Sequence, residues 1–180
     1  MAFANSKHNA PRMMVIVREI ILVADRGTAL VDDADYDALS QFKWFRHSYG
    51  YACYRRGTVK HGTYRTFLMH RVILDAADGQ YVDHIDGNPL NNQRSNLRLC
   101  TQSENMGNTS ARGGSSKYKG VQRPANSITW VAKIGHQGKY YHLGSFQSEV
   151  DAALAYNEAA IRLFGEFARL NVIDEGMCGV

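Results

Sequence analysis

Residues Tyr81–Asn108 read YVDHIDGNPLNNQRSNLRLCTQSENMGN, and the order of local signals within them decides the fold. Tyr81-Val82-Asp83-His84 is a short strand that ends on an acid and an imidazole. Asp86-Gly87 and Asn88-Pro89 break it, because Gly reaches positive φ and Pro removes a backbone donor. Leu97-Arg98-Leu99-Cys100 alternates as a second strand with one buried face. Thr101-Gln102-Ser103-Glu104 has the spacing of a capping box, so a helix starts there with Asn105 in its first turn. Strand, loop, strand and helix return the end of the first strand to the first turn of the helix.

That geometry has a chemical reading. Asp83 and Asn105 offer oxygen ligands, which hard cations such as Mg²⁺ prefer, and two protein ligands leave room for water and a phosphate oxygen. His84 titrates near working pH and can take a proton from water. Asn96, with two donors and two acceptors, can tie the loop to the backbone that carries His84. Each of these residues alone is ordinary loop material. Their joint order is not. The segment resembles the ββα-metal fold of HNH endonucleases, and more narrowly the phage and intron-type homing endonucleases in which Asn105 stands where the last His would be. The resemblance implies that Asp83 and Asn105 hold the metal, that His84 is the general base and that Asn96 supports the catalytic loop. It also implies Mg²⁺ or Mn²⁺ as cofactor.

The rest of the composition bounds the protein. Its 180 residues are 44% hydrophobic and 21% charged, ordinary values for a soluble globular chain with room for two small domains. No apolar run approaches a membrane span. The run Met13–Ala24 is broken by Arg18 and Glu19 and lacks a cleavage site, so no signal peptide is expected. Cys53, Cys100 and Cys178 share no CxxC spacing, which suits a reducing cytosol and excludes a zinc knuckle. The net charge of +4 is unevenly spread: Ala111–Gln147 carries six Lys/Arg and no acid, whereas Ser148–Val180 carries six acids and two bases. Beside a nuclease motif, the basic stretch is expected to track phosphates.

Upstream, residues 1–12 read as a loose tail. Val15–Ala24 reads as a strand, Asp25-Arg26-Gly27 as a turn and Thr28–Val31 as the hairpin partner. Asp32, Asp33 and Asp35 fall where a helix N-terminus favours carboxylates, with Tyr36, Leu39 and Phe42 following at helical spacing. Trp44–Arg56 is aromatic and β-prone and pairs with Thr63–Leu68. This block and its flanks carry Lys43, Arg46, Arg55, Arg56, Lys60 and Arg65; most of its aromatics are assigned to the core. Met69–Leu74 is a short helix whose His70 recurs at this place in the resembling family, near the phosphate or as a structural residue.

Asn108–Lys117, NTSARGGSSK, cannot fill a core and reads as a flexible linker. Beyond it, Tyr118–Asn171 resembles the ethylene-response-factor DNA-binding domain. The resemblance rests on Tyr118-Lys119-Gly120-Val121, Trp130-Val131-Ala132-Lys133-Ile134, Leu143-Gly144-Ser145-Phe146 and Ala152 through Asn171. Alternation independently places Ile128, Trp130, Ala132 and Ile134 on one strand face, and Tyr140 and His142 outward on the next strand. Ser148 caps a helix that ends at Gly165, with Val150, Ala153, Leu154, Ile161 and Phe164 as its expected buried stripe. The open sheet face carries Lys119, Gln122, Arg123, Lys133, Tyr140 and His142 as DNA contacts. Tyr140, His142 and Gln122 depart from the plant pattern, so the plant target sequence does not carry over.

The sequence therefore predicts an α+β protein. A β-rich region leads into a nuclease domain (13–108), and a linker (109–117) joins it to a three-stranded antiparallel sheet packed on one helix (118–173), followed by a tail (174–180). The expected function is metal-dependent hydrolysis of double-stranded DNA by a monomer in the host cytosol or nucleoid, with no membrane partner. The alternative is a DNA-binding regulator with a relic nuclease segment. With a flexible linker, a fragment ending near Arg112 is expected to keep cutting.

Overall fold

The computed structural model describes residues 16–24, 27–58, 63–111 and 113–173. The expected tails, Asp25, Arg26, Lys60, Arg112 and Cys178 lie outside these residues. Strands β1 (Val17–Ile21) and β2 (Thr28–Asp32) form the expected antiparallel hairpin, with Ile20 opposite Ala29. Helix α1 (Asp33–Ser40) follows directly. Its acidic start is electrostatically suited to a helix N-terminus, but the carboxylates have further partners. Asp32 makes no cap hydrogen bond; its Oδ2 accepts the Arg94 backbone N–H at 2.9 Å. Asp35 grips the Arg94 guanidinium through two bonds of 2.8 and 2.7 Å, and Asp33 binds Arg18.

Strand β3 (Phe45–Arg46) pairs with β4 (Ala52–Thr58), which pairs with β5 (Thr63–Leu68); α2 (Met69–Ile73) follows. Trp44 is buried at 1% exposure against Leu22, Val31, Leu39 and Met69, and its indole N–H donates to the Leu39 carbonyl at 2.7 Å. Of the aromatic block, Trp44 is core and Tyr54 packs against it, Phe45 and Tyr51 are half-buried, and Tyr49 is exposed. Strands β6 (Tyr81–His84) and β7 (Leu97–Cys100) pair antiparallel with Asp83 opposite Arg98, and α3 (Gln102–Gly107) completes the unit. Both bonds of the capping box are made: Thr101 Oγ1 accepts from the Glu104 N–H, and Glu104 Oε2 accepts from the Thr101 N–H. The long loop between β6 and β7 is fastened to β2, because Leu30 N–H donates to Leu90 O and Asn92 N–H donates to Leu30 O, each at 2.8 Å. The N-terminal hairpin therefore serves as a clamp for that loop.

The C-terminal unit is an antiparallel sheet in the order β10-β9-β8, formed by β8 (Val121–Gln122), β9 (Trp130–His136) and β10 (Lys139–Phe146). Helix α4 (Glu149–Phe164) lies on its back, with Ser148 Oγ accepting from the N–H groups of Val150 and Asp151 and Gly165 at positive φ past its end. Trp130 packs toward this core, as alternation predicts. The buried stripe of α4 agrees with the expected one at Ala153 and Phe164, with Val150 partly buried, and differs elsewhere. Ala152, Ala153, Tyr156, Ala159, Ala160 and Phe164 are buried, while Leu154 and Ile161 are 45% and 55% exposed. Four alanines let the helix approach the sheet, and Tyr156 takes the central space that the apolar reading gave to larger aliphatics. Ile128 also falls outside the core at 75% exposure, because β9 starts only at Trp130.

The segment joining the units does not hold them apart. Lys119 Nζ donates to Gly107 O at 2.5 Å and to Met106 O at 3.2 Å, at the carbonyl end of α3. The Arg169 backbone N–H donates to the same Gly107 oxygen, and Ser103 Oγ meets His136 Nδ1 at 3.2 Å. Gly107 itself packs on Phe164, where an added methyl would come within 2.8 Å of the ring. No helix among the described residues is long and apolar enough to cross a membrane.

The two readings of α4 separate by mutation. Leu154→Ala and Ile161→Ala are expected to change unfolding free energy by less than about 0.5 kcal/mol. Tyr156→Ala, at a position only 2% exposed, is expected to cost about 3 kcal/mol or more. Urea denaturation of the three variants checks the order.

Candidate active site

The β6–β7 register builds the site. Asp83 and Arg98 are a cross-strand pair, so their side chains share one face. Arg98 donates from Nε and Nη2 to Asp83 Oδ2 at 2.9 and 2.8 Å, with both side chains largely buried. The third nitrogen, Nη1, donates to Glu166 O at 2.8 Å, and the guanidinium lies 4.0 Å over the Phe167 ring. Asn108, at the end of α3, donates from Nδ2 to Asp83 Oδ1 at 2.9 Å, to Oδ2 at 3.1 Å and to His84 O at 2.7 Å. The carboxylate is thus fixed from both sides.

Asp83, His84 and Asn105 line one cleft of about 360 Å³ together with Tyr49, Tyr51, Asn108 and Arg169. The donors there suit a hard cation. Among the described residues Asp83 Oδ1 receives a hydrogen bond from Asn108 alone, and a carboxylate oxygen has room for about two partners. The half-buried Asn105 amide has no hydrogen-bond partner among the described residues. A carboxylate and an amide lining one cleft are the oxygen donors that a hard divalent cation takes.

His84 sits 5% exposed, its Nε2 3.3 Å from Asn92 Oδ1. With that oxygen as acceptor, Nε2 carries the proton and Nδ1 keeps a lone pair. Burial pushes the His84 imidazole below its ordinary 6.5, against the opposing pull of Asn92 and of the Asp86 and Asp83 charges. His70 lies behind it, ring centroids 5.0 Å apart, 4% exposed and with Nδ1 unpartnered. Burial, with the nearby His84 and Arg71 adding to it, pushes His70 down to about 3. Asn96 stands apart from the cleft. Its Oδ1 accepts the Asp86 N–H, and its Nδ2 donates to Asp86 Oδ1 and Asn91 O. This is the loop tie that its position suggests.

The expected DNA contacts divide. Gln122, Lys133, Tyr140 and His142 lie on the sheet face turned away from α4, with His142 paired to Lys133 across the strands and Tyr140 82% exposed. Arg123 is exposed at the end of β8, its Nε bound to Ser127 O. The Lys119 ammonium instead rests on α3. Sequence reasoning missed Arg98, Asn92, Asn108 and Arg169. Arg98 follows from the strand register, and Asn108 from its place one helical turn after Asn105. Asn92 is one of several loop asparagines without a distinguishing signal, and Arg169 comes from the other unit.

Residues 67–107, a span that includes all four motif residues, match the family model of HNH endonucleases. Over 162 residues the protein is 35% identical to an uncharacterized HNH endonuclease of Acanthamoeba polyphaga mimivirus, covering 88% of this chain and 83% of the relative. It is 36% identical over 89 residues to DNA endonuclease I-HmuI of Bacillus phage SP01, 47% of each chain. A different similarity, 42% over 60 residues, relates 32% of the chain to 14% of the ethylene-responsive transcription factor WRI1 of Arabidopsis thaliana.

Buried neutral histidines make stability depend on pH. His70 falls from an ordinary 6.5 when unfolded to about 3 when folded, so below pH 6.5 the unfolded chain binds the proton that the folded chain refuses. Stability is complete above 6.5 and is lost as pH falls toward 3, by up to about 1.4 kcal/mol per unit for this residue. Denaturant titrations between those limits should show a shallower slope for His70→Gln than for the intact protein.

Proposed function

The chain belongs to the HNH endonuclease family, and from that premise we propose that it is a divalent-metal-dependent hydrolase of double-stranded DNA. It cuts in the Asp83–His84–Asn105 cleft and is placed on its target by the C-terminal sheet. The observation that carries this reading is the meeting of a carboxylate, an amide oxygen and a neutral, buried imidazole in one cleft. In the reaction, His84 Nδ1 takes a proton from water while the water oxygen bonds to phosphorus and the bond from phosphorus to the 3′ oxygen breaks. The departing 3′ oxygen takes its proton from solvent, leaving a 3′-hydroxyl and a 5′-phosphate. Asn92 keeps the imidazole in the tautomer that leaves Nδ1 basic, and Asn96 keeps the loop beneath it closed. Asp83 and Asn105 would hold the cation. When bound, it supplies charge stabilisation at the 3′ oxygen.

The division of the chain into a nuclease unit (13–108), a connector (109–117) and a DNA-reading unit (118–173) belongs to the same proposal. The similarity to a plant transcription factor supports a reading role for the second unit, as does the exposed face of Gln122, Lys133, Tyr140 and His142. Such a sheet lies in the major groove, where base edges are distinguishable, while Arg123 meets phosphates. Lys119, occupied by α3, contributes through position rather than direct contact. His70, behind His84, supports the imidazole.

Incubation with supercoiled plasmid, with and without Mg²⁺ or Mn²⁺, tests the reading. The intact protein should cut only with metal. His84→Ala should lose on the order of 10²–10⁴ in rate while keeping DNA affinity. Asp83→Ala should be inactive and not rescued by zinc. Because the His84 imidazole is held below 6.5, cleavage should persist through pH 6.5 and fall only in more acidic solution. Metal-independent cutting, or full activity in His84→Ala, sinks the assignment.

A further inference from the structure

Arg169 belongs to the C-terminal unit, beyond the 3₁₀ turn Gly165–Phe167, yet its side chain lines the nuclease cleft beside Asp83, His84 and Asn105. Its backbone is pinned there, since the Arg169 N–H donates to Gly107 O at 3.1 Å, at the end of the helix that carries Asn105. Its guanidinium comes against the loop at Gly87, whose φ is +75°, with Nη1 nearest. An added methyl at that glycine would fall 2.1 Å from Arg169 Nη1. Gly87 thus leaves the space the guanidinium fills.

The neighbouring arginines are neutralised: Arg94 by Asp35 and Arg98 by Asp83. Arg169 is half-buried and makes no hydrogen bond or ion pair through its side chain among the described residues. A partly desolvated cation without a counter-charge is poorly satisfied until an anion arrives. The guanidinium fork matches two oxygens of a phosphate. From the cleft, Arg169 also lines an adjoining groove with Lys117 and Lys119, which extends the cationic wall toward the reading unit.

We propose that Arg169 is a catalytic residue supplied by the C-terminal unit, binding the non-bridging oxygens of the phosphate under attack. This rests on the hydrolase reading above. It stabilises negative charge that grows on those oxygens as water adds, while Arg98 keeps Asp83 in place and takes no part in substrate binding. The nuclease cleft is then completed by both units. A fragment ending near Arg112 lacks this side chain and should cut poorly, against the expectation of separable units.

The test uses the full chain. Arg169→Ala should lower the single-turnover cleavage rate on the order of 10²–10³-fold, with the melting temperature and calorimetric Mn²⁺ affinity unchanged. Arg169→Lys, which keeps the charge but not the fork, should recover about a tenth or more of the rate. An Arg169→Ala rate within about threefold of the intact protein overturns the proposal. So does an equal loss in both variants with weakened Mn²⁺ binding, which would make Arg169 a prop for the metal side of the cleft. If the intact protein cuts no DNA, the hydrolase reading fails separately, and duplex binding then decides: Arg169→Ala should flatten the salt slope by about one unit. An unchanged slope rejects Arg169 as a phosphate ligand.

Discussion

A single carboxylate charge, held almost out of water, is the constraint on which this structure turns. Asp83 is 5% exposed, and a buried carboxylate is tolerated only with a matched cation and satisfied lone pairs. Three elements combine to satisfy it. The β6–β7 register sets Arg98 across from it, the end of α3 brings Asn108, and the second unit holds the far side of Arg98 through Glu166 O and the Phe167 ring. Removing one partner of such a pair costs about 3–5 kcal/mol, because the remaining charge stays buried. The same network sets Asp83 in the wall of the cleft, so the stability of the fold and the shape of the site have one origin.

His84 is governed by the opposite requirement. Its imidazole is pushed toward the neutral form by burial beside Tyr51 and His70, against the pull of Asn92. That burial depends on elements distant in sequence. The loop carrying Asn92 is stitched to β2 at Leu30, and Arg94 is locked to Asp32 and Asp35. The N-terminal hairpin and α1, which hold no motif residue, therefore set the environment of the His84 imidazole.

Much of this was legible in the sequence wherever a local rule operates. The Thr101–Glu104 capping box, the Asp83-His84 strand end, the Ser148 cap and the Gly165 terminus are each fixed by a few neighbouring residues, and all occur as read. The tie made by Asn96 follows from its position at the close of the loop. What escaped depends on contacts between distant segments. On α4 the expected Ala153 and Phe164 are buried and alanines bring the helix close to the sheet, but Tyr156 takes part of that space and Leu154 and Ile161 stay outside. Lys119 is expected on the open sheet face, whereas its ammonium meets the Met106 and Gly107 carbonyls at the end of α3. Asn92 cannot be singled out among its neighbours without knowing which of them β2 draws inward. The linker composition concealed the docking of the units, because Gly and Ser describe the connecting chain and not the surfaces it allows to meet.

The contact of Gly107 with the Phe164 ring bears on how such a chain could have been assembled. Two modules joined by gene fusion begin as strangers, and a small polar connector suffices to keep them on one polypeptide. Here the nuclease helix ends on the one residue with no side chain, and the aromatic end of α4 rests against it. The two surfaces fit one another at this point. A graft that exchanges the C-terminal unit at the connector would set foreign side chains against Gly107 and leave a bare helix end where the aromatic had been. Any exchange on this frame therefore has to keep the back of that unit and its C-terminal turn.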